Sequence, residues 1–403
     1  MVRLLFCINV GIVIIYFINW LGILESRYWQ ADFTAFYTGL IIVRDNLGTS
    51  LFNFDLQSAL QQNILEGKSF KDGLLPFVWP PHSFPVFIPL AWLSLKNAFL
   101  VFSFLQFIAL IIIAYFTKKI LQDYILEVII LSIVLLTSLF PIYYTFILGN
   151  HSLFILLSIS GCYYSLKKGK DFYAGAWLAL GTIKPQLILM PVVMLIVGKK
   201  WKAMGGFVLT VLPFMIMSTY MLGWKVWLEY LSVLREAAQY SNFMGFYPSA
   251  MYNLKGTLYS SIGSHRWDLI ILMSTIGLLF GLIFTLLLWY KKFDTQSSDF
   301  ELRFALTVLL GLFFSPHLYG HDFVLVFAAL LFLIVYAGNN SGSLSLVKLF
   351  SVFPLLFFAT EIVFKINVGI KFPTLAMIVM MIWISWKLFK DHRAVARLED
   401  KSG

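Results

Sequence analysis

Long uncharged apolar runs recur along the whole chain, separated by short polar breaks. The longest are Leu4 to Leu24, Asn97 to Thr117, Val128 to Leu166, Ala203 to Trp224, Leu269 to Tyr290, Phe323 to Val347 and Phe372 to Trp386. An α-helix rises about 1.5 Å per residue, so about 20 apolar residues cross a hydrocarbon core about 30 Å thick. The pattern predicts an all-α polytopic membrane protein. Two regions depart from it. Phe84 to Leu95 is too short for a crossing and reads as a half-helix, and Tyr173 to Val197 is interrupted at Lys184-Pro185 and reads as a short hairpin. Backbone leaves helical geometry at membrane depth only where protein or water satisfies it. On that reading about 12 segments cross, within a range of about 10 to 13, and both termini are cytoplasmic.

The polar positions organise the rest. The first apolar run follows Met-Val-Arg, is long for a signal sequence and lacks a small-x-small cleavage pattern, so it is expected to stay as the first membrane helix. Residues 25–81 form a first external loop, the least lipid-like part of the chain. Within it, Asp32 to Val43 and Leu56 to Leu65, the latter behind Asp55 as N-cap, read as amphipathic helices at the membrane surface. Pro76 to His82 is extended and proline-stiffened. Residues 225–268 form a second external segment, whose aromatics (among them Trp224, Trp227, Tyr230, Tyr240, Tyr247 and Tyr252) suggest an interfacial belt. No internal repeat is visible, and residues 1–390 read as one integral membrane domain with a cytoplasmic tail at 391–403.

Composition agrees with the pattern: 60% of residues are hydrophobic and 12% charged, where a soluble domain carries about 25% charged. The net charge of +10 changes the picture only by its distribution. Lys118-Lys119, Lys167-Lys168-Lys170 around Gly169, Lys199-Lys200-Lys202 around Trp201, Lys291-Lys292 and the tail from Lys387 to Lys401 sit between apolar runs. Such clusters mark cytoplasmic ends, and nucleic acid is not a partner they suggest. Cys7 and Cys162 lie within apolar runs and read as packing residues.

Ionisable groups in or beside membrane segments are expensive to keep and are therefore candidates for chemistry. Asp32 stands just beyond the first helix in Gln30-Ala-Asp-Phe-Thr-Ala-Phe-Tyr37. It could serve as a general base; the alternative is the N-cap of a helix at 33–43, to which an Asp is well suited. Ser315-Pro-His-Leu-Tyr-Gly-His-Asp322 gathers His317, His321 and Asp322. A His-x-x-x-His pair can bind zinc, but Pro316 and Gly320 favour a loop and no third ligand has metal spacing, so contact with a phosphate or sugar is preferred and no metal is assigned. Lys184-Pro185-Gln186 puts a cation and an amide in a helix break; the alternative is a lysine reaching the headgroups. Gly149-Asn150-His151 is a weaker break of the same kind, and His82, Lys255, His265 and Arg266 are external bases that could meet an anion.

The order of these features resembles the family 87 membrane glycosyltransferases of the GT-C class, which includes polyprenyl-phosphate-mannose-dependent α-mannosyltransferases. The matching pieces are Asp32-Phe33 with Phe36-Tyr37, Pro80-Pro81 with Pro85 and Pro89, Gly149-Asn150, Lys184-Pro185-Gln186 followed by Lys199-Lys200-Trp201, and Ser315-Pro316 leading to His321-Asp322. The resemblance implies a GT-C-like fold, Asp32 as the catalytic base, and Lys184, Gln186, His321 and Asp322 as donor- or acceptor-site residues; Tyr37, His82 and His317 stand beside them as further candidate substrate-binding residues. Where this chain has Gly149-Asn150 the relatives tend to carry Gly-Gln, so the resemblance assigns Asn150 no role. It further implies a polyprenyl-phosphate sugar as donor, a lipid or glycan as acceptor, membrane lipids as surroundings, no cofactor, and a site facing outward from the cytoplasmic membrane. The rival readings are a flippase or transporter for lipid-linked saccharides, which needs a charged path through the bundle, and a polysaccharide polymerase or ligase, which is expected to place its large loop late in the chain.

Overall fold

The computed structural model describes residues 2–237, 239, 244–290, 293–338, 341–358 and 371–402. The Lys291-Lys292 cluster and Tyr240 lie outside the described residues, as do the side chains of the 391–403 tail. Among the described residues the chain is helical and contains no strand. Its helices are α1 (Val2–Ser26), α2 (Phe33–Arg44), α3 (Phe54–Ile64), α4 (Leu95–Ile120), α5 (Leu126–Ser138), α6 (Phe140–Leu148), α7 (Ser152–Lys167), α8 (Asp171–Ala179), α9 (Pro185–Val197), α10 (Trp201–Leu222), α11 (Val226–Ala237), α12 (Leu254–Ile262), α13 (Trp267–Trp289), α14 (Phe300–Phe313), α15 (Val326–Tyr336), α16 (Ser341–Phe350), α17 (Phe353–Phe358) and α18 (Phe372–Ser402).

Among the described residues five helices are long and apolar enough to cross a membrane, and α5 with α6, bent by 42°, makes a sixth if the pair is one span. Further apolar helices of 10–17 residues, among them α7 and α9, complete the bundle. Together these make the chain a multi-pass, all-α membrane protein. The spanning helices turn apolar side chains outward, such as Ile14, Phe104, Ile216, Leu287 and Ile382, because hydrocarbon is their solvent. By contrast α14 is buried along its whole length. Lipid adds no hydrophobic drive between helices, so close backbone approach matters. A Cβ at Gly175 of α8 would lie 1.7 Å from the Ala203 carbonyl of α10, so only glycine permits that contact.

The bundle has two chemically different ends. Helices α4, α7 and α9 run toward Lys118-Lys119, Lys167-Lys168 and Lys199-Lys200, and α8 and α10 start from that end. Phe116 packs at a tilt on Tyr164 and meets Trp177 edge-on, Lys167 pairs with Glu301 at 2.8 Å, and Lys200 pairs with Asp171 at 3.2 Å. The opposite end collects the helix breaks at 149–151, 184 and 314–321.

Several local expectations are corrected. The helix over 33–44 is not a surface helix: every residue from Phe33 to Val43 is buried. It packs with Phe77, Phe84, Phe87, Phe99 and Phe102, and its polar side chains satisfy themselves on backbone, Thr34 donating to Trp29 and Thr38 to Thr34. The N-cap of α3 is Asn53, which accepts from Leu56 N–H, and Asp55 lies inside the first turn. The expected half-helix at Phe84 to Leu95 is instead a run of turns with one 3-10 turn, Ile88–Trp92, because Pro85 and Pro89 remove backbone donors and block α-helical neighbours. Trp224 of the supposed aromatic belt is exposed, but Tyr252 is buried and Tyr230 packs on Phe52. Of the cysteines, Cys162 is buried and Cys7 is exposed.

Residues 74–78 form neither helix nor strand, and two glutamines on α3 hold them. Gln57 Oε1 accepts from Phe77 N–H at 2.7 Å while its Nε2 donates to the Leu51 and Phe77 carbonyls. One turn later Gln61 donates to the Leu75 carbonyl at 2.6 Å and accepts from its N–H. Side chains four apart share a helix face, so one helical turn matches one two-residue step of the segment. The glutamine amides supply the donors and acceptors that a partner strand would have supplied.

Candidate active site

A cavity of about 800 Å³ opens at the end of the bundle away from the lysines. Ligand sites of this size hold sugar-sized to drug-sized molecules. Its wall is built from the loop before α2, the segment 75–80, the breaks at 149–150 and 183–186, the 244–252 stretch and the loop 316–322.

Asp32 precedes α2 with backbone already in the α region, and its carboxylate caps no helix N–H. That removes the N-cap alternative and frees the side chain, which is 28% exposed and lines the cavity. Asn150 meets it there, its Nδ2 donating to Asp32 Oδ2 at 2.8 Å. The meeting depends on Gly149, which ends α6 in the left-handed conformation with φ 57°. A Cβ at this glycine would lie 2.7 Å from Phe33 Cβ and 2.9 Å from Phe99 Cε2, so the chain can turn against α2 only with glycine present.

Lys184 sits in the break between a 3-10 turn, Leu180–Ile183, and α9, with φ −132° and ψ 76°. The extended conformation follows from Pro185, which excludes the α region for the residue before it. Its ammonium donates to Asp322 Oδ1 at 2.5 Å and lies 3.2 Å from His321 Nε2. Asp322 is further held by Ser152 Oγ at 2.6 Å and Tyr319 N–H at 3.4 Å. The other nitrogen of His321, Nδ1, is 3.8 Å from Asp32 Oδ2. One imidazole ring therefore separates the exposed carboxylate from the buried ammonium.

The structure brings Asp32, Lys184, Gln186, His317, His321 and Asp322 to one cavity. His317 and His321 do not share a helix face: the segment is a loop, and His317 lodges between Phe246 at 5.5 Å and Tyr319 at 6.2 Å. Burial and the nearby Lys255 push the His317 imidazole down to about 3, so it meets the cavity as a neutral ring. Among the described residues no group of three His, Cys, Asp or Glu side chains is arranged to hold a metal ion.

Two expected residues are elsewhere. The Tyr37 hydroxyl donates to the Leu93 carbonyl at 2.6 Å, away from the cavity, because Tyr37 points from the packed face of α2 toward the 3-10 turn that follows the prolines. His82 does not line the cavity either and stacks on Trp227 at 6.0 Å. Sequence reasoning missed Asn150 as a partner of Asp32, Ser152 and Tyr319 as supports of Asp322, and Trp79 and Lys371 as parts of the wall. The signal for Asn150 was the glycine break before it; the remaining four carry no local pattern that distinguishes them.

The model of glycosyltransferase family 87 matches residues 77–316, more than half of the chain. The chain belongs to glycosyltransferase family 87. No curated protein and no solved structure shows significant similarity to it. The matched span contains Asn150, Ser152, Lys184 and Gln186, while Asp32, His317, His321 and Asp322 flank it and reach the same cavity through the fold. A family 87 glycosyltransferase is a membrane enzyme that must seat a sugar donor and an acceptor, and this cavity combines a carboxylate, cations, neutral polar groups and aromatic walls.

Proposed function

We propose that this glycosyltransferase moves a hexose, mannose being the first to test, from a polyprenyl-phosphate donor to a hydroxyl of a lipid or glycan acceptor, with inversion at the anomeric carbon. The observation that carries the reading is the pairing, across His321, of the cavity-facing Asp32 carboxylate with the Lys184 ammonium. Asp32 takes the proton from the acceptor hydroxyl as its oxygen bonds to the anomeric carbon. The bond from that carbon to the donor phosphate oxygen breaks, and its electron pair leaves with the polyprenyl phosphate. A phosphate departs without protonation, so a single carboxylate suffices where a glycosidase needs two. Lys184, oriented by Asp322, meets the growing phosphate charge, and preorganised donors of this kind are effective because they need no reorientation during reaction. Lys371, which also lines the cavity, adds a second cation.

The orientation follows from charge. Lysine clusters gather at the end opposite the cavity, and positively charged ends remain cytoplasmic. That supports a cavity opening on the outer face of the cytoplasmic membrane, where a lipid-linked donor can reach it.

Purified protein incubated with a panel of radiolabelled polyprenyl-phosphate sugars and a membrane lipid extract tests the proposal. Turnover with at least one donor is expected, together with an Asp32→Asn variant that keeps the wild-type unfolding temperature and loses transfer. Full activity of that variant removes Asp32 from the mechanism. Absence of turnover with every donor overturns the polyprenyl-phosphate donor and the reaction proposed from it.

A further inference from the structure

The two oxygens of the Asp32 carboxylate have different surroundings. Among the described residues every hydrogen bond and ion pair of this carboxylate falls on Oδ2: Asn150 Nδ2 at 2.8 Å and His321 Nδ1 at 3.8 Å. Oδ1 has no such contact, and Asp32 lines the cavity. Asn150 is itself buried and fixed on three sides. Gln106 Nε2 donates to its backbone carbonyl at 2.7 Å, Ser152 Oγ lies 3.0 Å from its side-chain Oδ1, and Gly149 anchors the turn before it. Ser152 Oγ also reaches Asp322 Oδ1, the oxygen that receives the Lys184 ammonium. A hydroxyl has one proton, so Ser152 donates to only one of these two oxygens at a time, and its shorter contact is with Asp322.

An ionised carboxylate can only accept, and a carboxamide carries both donor and acceptor. Asn150 must therefore present its NH₂ to Asp32, which leaves the amide a single useful orientation. We infer that Asn150 is the positioning residue of the base: it pins Oδ2 so that Oδ1 alone faces the acceptor hydroxyl. Pinning one oxygen fixes the plane of the carboxylate and the lone pair that receives the proton. A hydrophobic residue at 150 would leave the carboxylate free to rotate and would not alter the groups that hold the donor. The inference rests on Asp32 acting as the base.

Asn150→Leu, Asn150→Ser and Asn150→Gln separate positioning from structure and from binding. Misplacing a reacting group by about 1 Å lowers a rate about 100-fold, so Asn150→Leu and Asn150→Ser are expected to lose about that much in kcat with donor KM changed less than about threefold. Asn150→Gln, which keeps the amide, is expected to recover most of the loss. Asn150→Ser is the smaller change and stands in where Asn150→Leu fails to fold. Wild-type kcat in either folded variant overturns the inference, as does a rise in donor KM that accounts for the whole loss, or a glutamine variant no better than the serine one. An inactive Asp32→Asn beside a fully active Asn150→Ser sinks this inference and leaves the proposed reaction standing. An active Asp32→Asn sinks both.

Discussion

Lys184 Nζ and Asp322 Oδ1 lie 2.5 Å apart at the floor of the cavity, with side chains 11% and 3% exposed. Their partners come from separate parts of the chain. Lys184 is placed by a proline-forced helix break, and Asp322 by a loop that also feeds it Tyr319 N–H and Ser152 Oγ.

Removing one member of a buried pair strands the other charge and costs about 3–5 kcal/mol, whereas removing both together is often neutral. Lys184→Met and Asp322→Asn are each expected to lower the unfolding temperature of the detergent-solubilised protein. The double variant is expected to regain most of the lost stability and none of the transfer activity. A double variant as unstable as the worse single one contradicts the assignment of the pair as mutually compensating.

The glutamine pair on α3 makes a separate forecast. Gln57→Leu leaves the buried Phe77 N–H without its acceptor, a loss of about 1–3 kcal/mol for one unsatisfied buried group. Because residues 75–80 line the cavity, the donor KM is expected to rise while the chemistry at Asp32 is untouched, so kcat changes little. Steady-state kinetics decide it: a pure kcat defect with unchanged KM refutes the idea that the clamp shapes the binding wall.

Lys255 is 4% exposed and sits over the Trp267 ring at 4.8 Å. Burial brings its ammonium down to about 8 from the usual 10.5. The folded form then binds fewer protons than the unfolded form between those values, so stability rises with pH across that window. The contribution is fully present above about 10.5 and is lost as pH falls through 8. Lys255→Met removes the titrating group. Its unfolding temperature is expected to exceed that of the parent at pH 7, with the gap closing as pH approaches 10. A gap that does not depend on pH shows that the gain comes from packing alone.

Legibility in the sequence followed the range of the interaction. Apolar runs of about 20 residues marked α1, α4, α10 and α13 without any tertiary information. Pro185 marked the break at Lys184 because a proline restricts its neighbour locally. The same local logic failed for Asp32, whose residue type and position suit a cap but whose carboxylate points across the fold to Asn150, 118 positions along the chain. It failed as well for the helix from Phe33 to Arg44, where a pattern with two threonines looked amphipathic until the surrounding phenylalanines buried every side. Tyr37 and Asp32 lie five positions apart, yet only the acid reaches the cavity.

Taken alone, the sequence determined the solvent of this protein and the distribution of its charge: runs without ionisable groups must lie in hydrocarbon, and lysine clusters fall between them. Both are sums over many residues, so no single contact can change them. Which oxygen of Asp32 is held and which is free, which lysine answers which acid, and which tyrosine merely packs were decided by tertiary structure. The contacts of Asp32, Lys184 and Asp322 are about 3 Å long between residues more than a hundred positions apart, and no local pattern carries the information that brings them together.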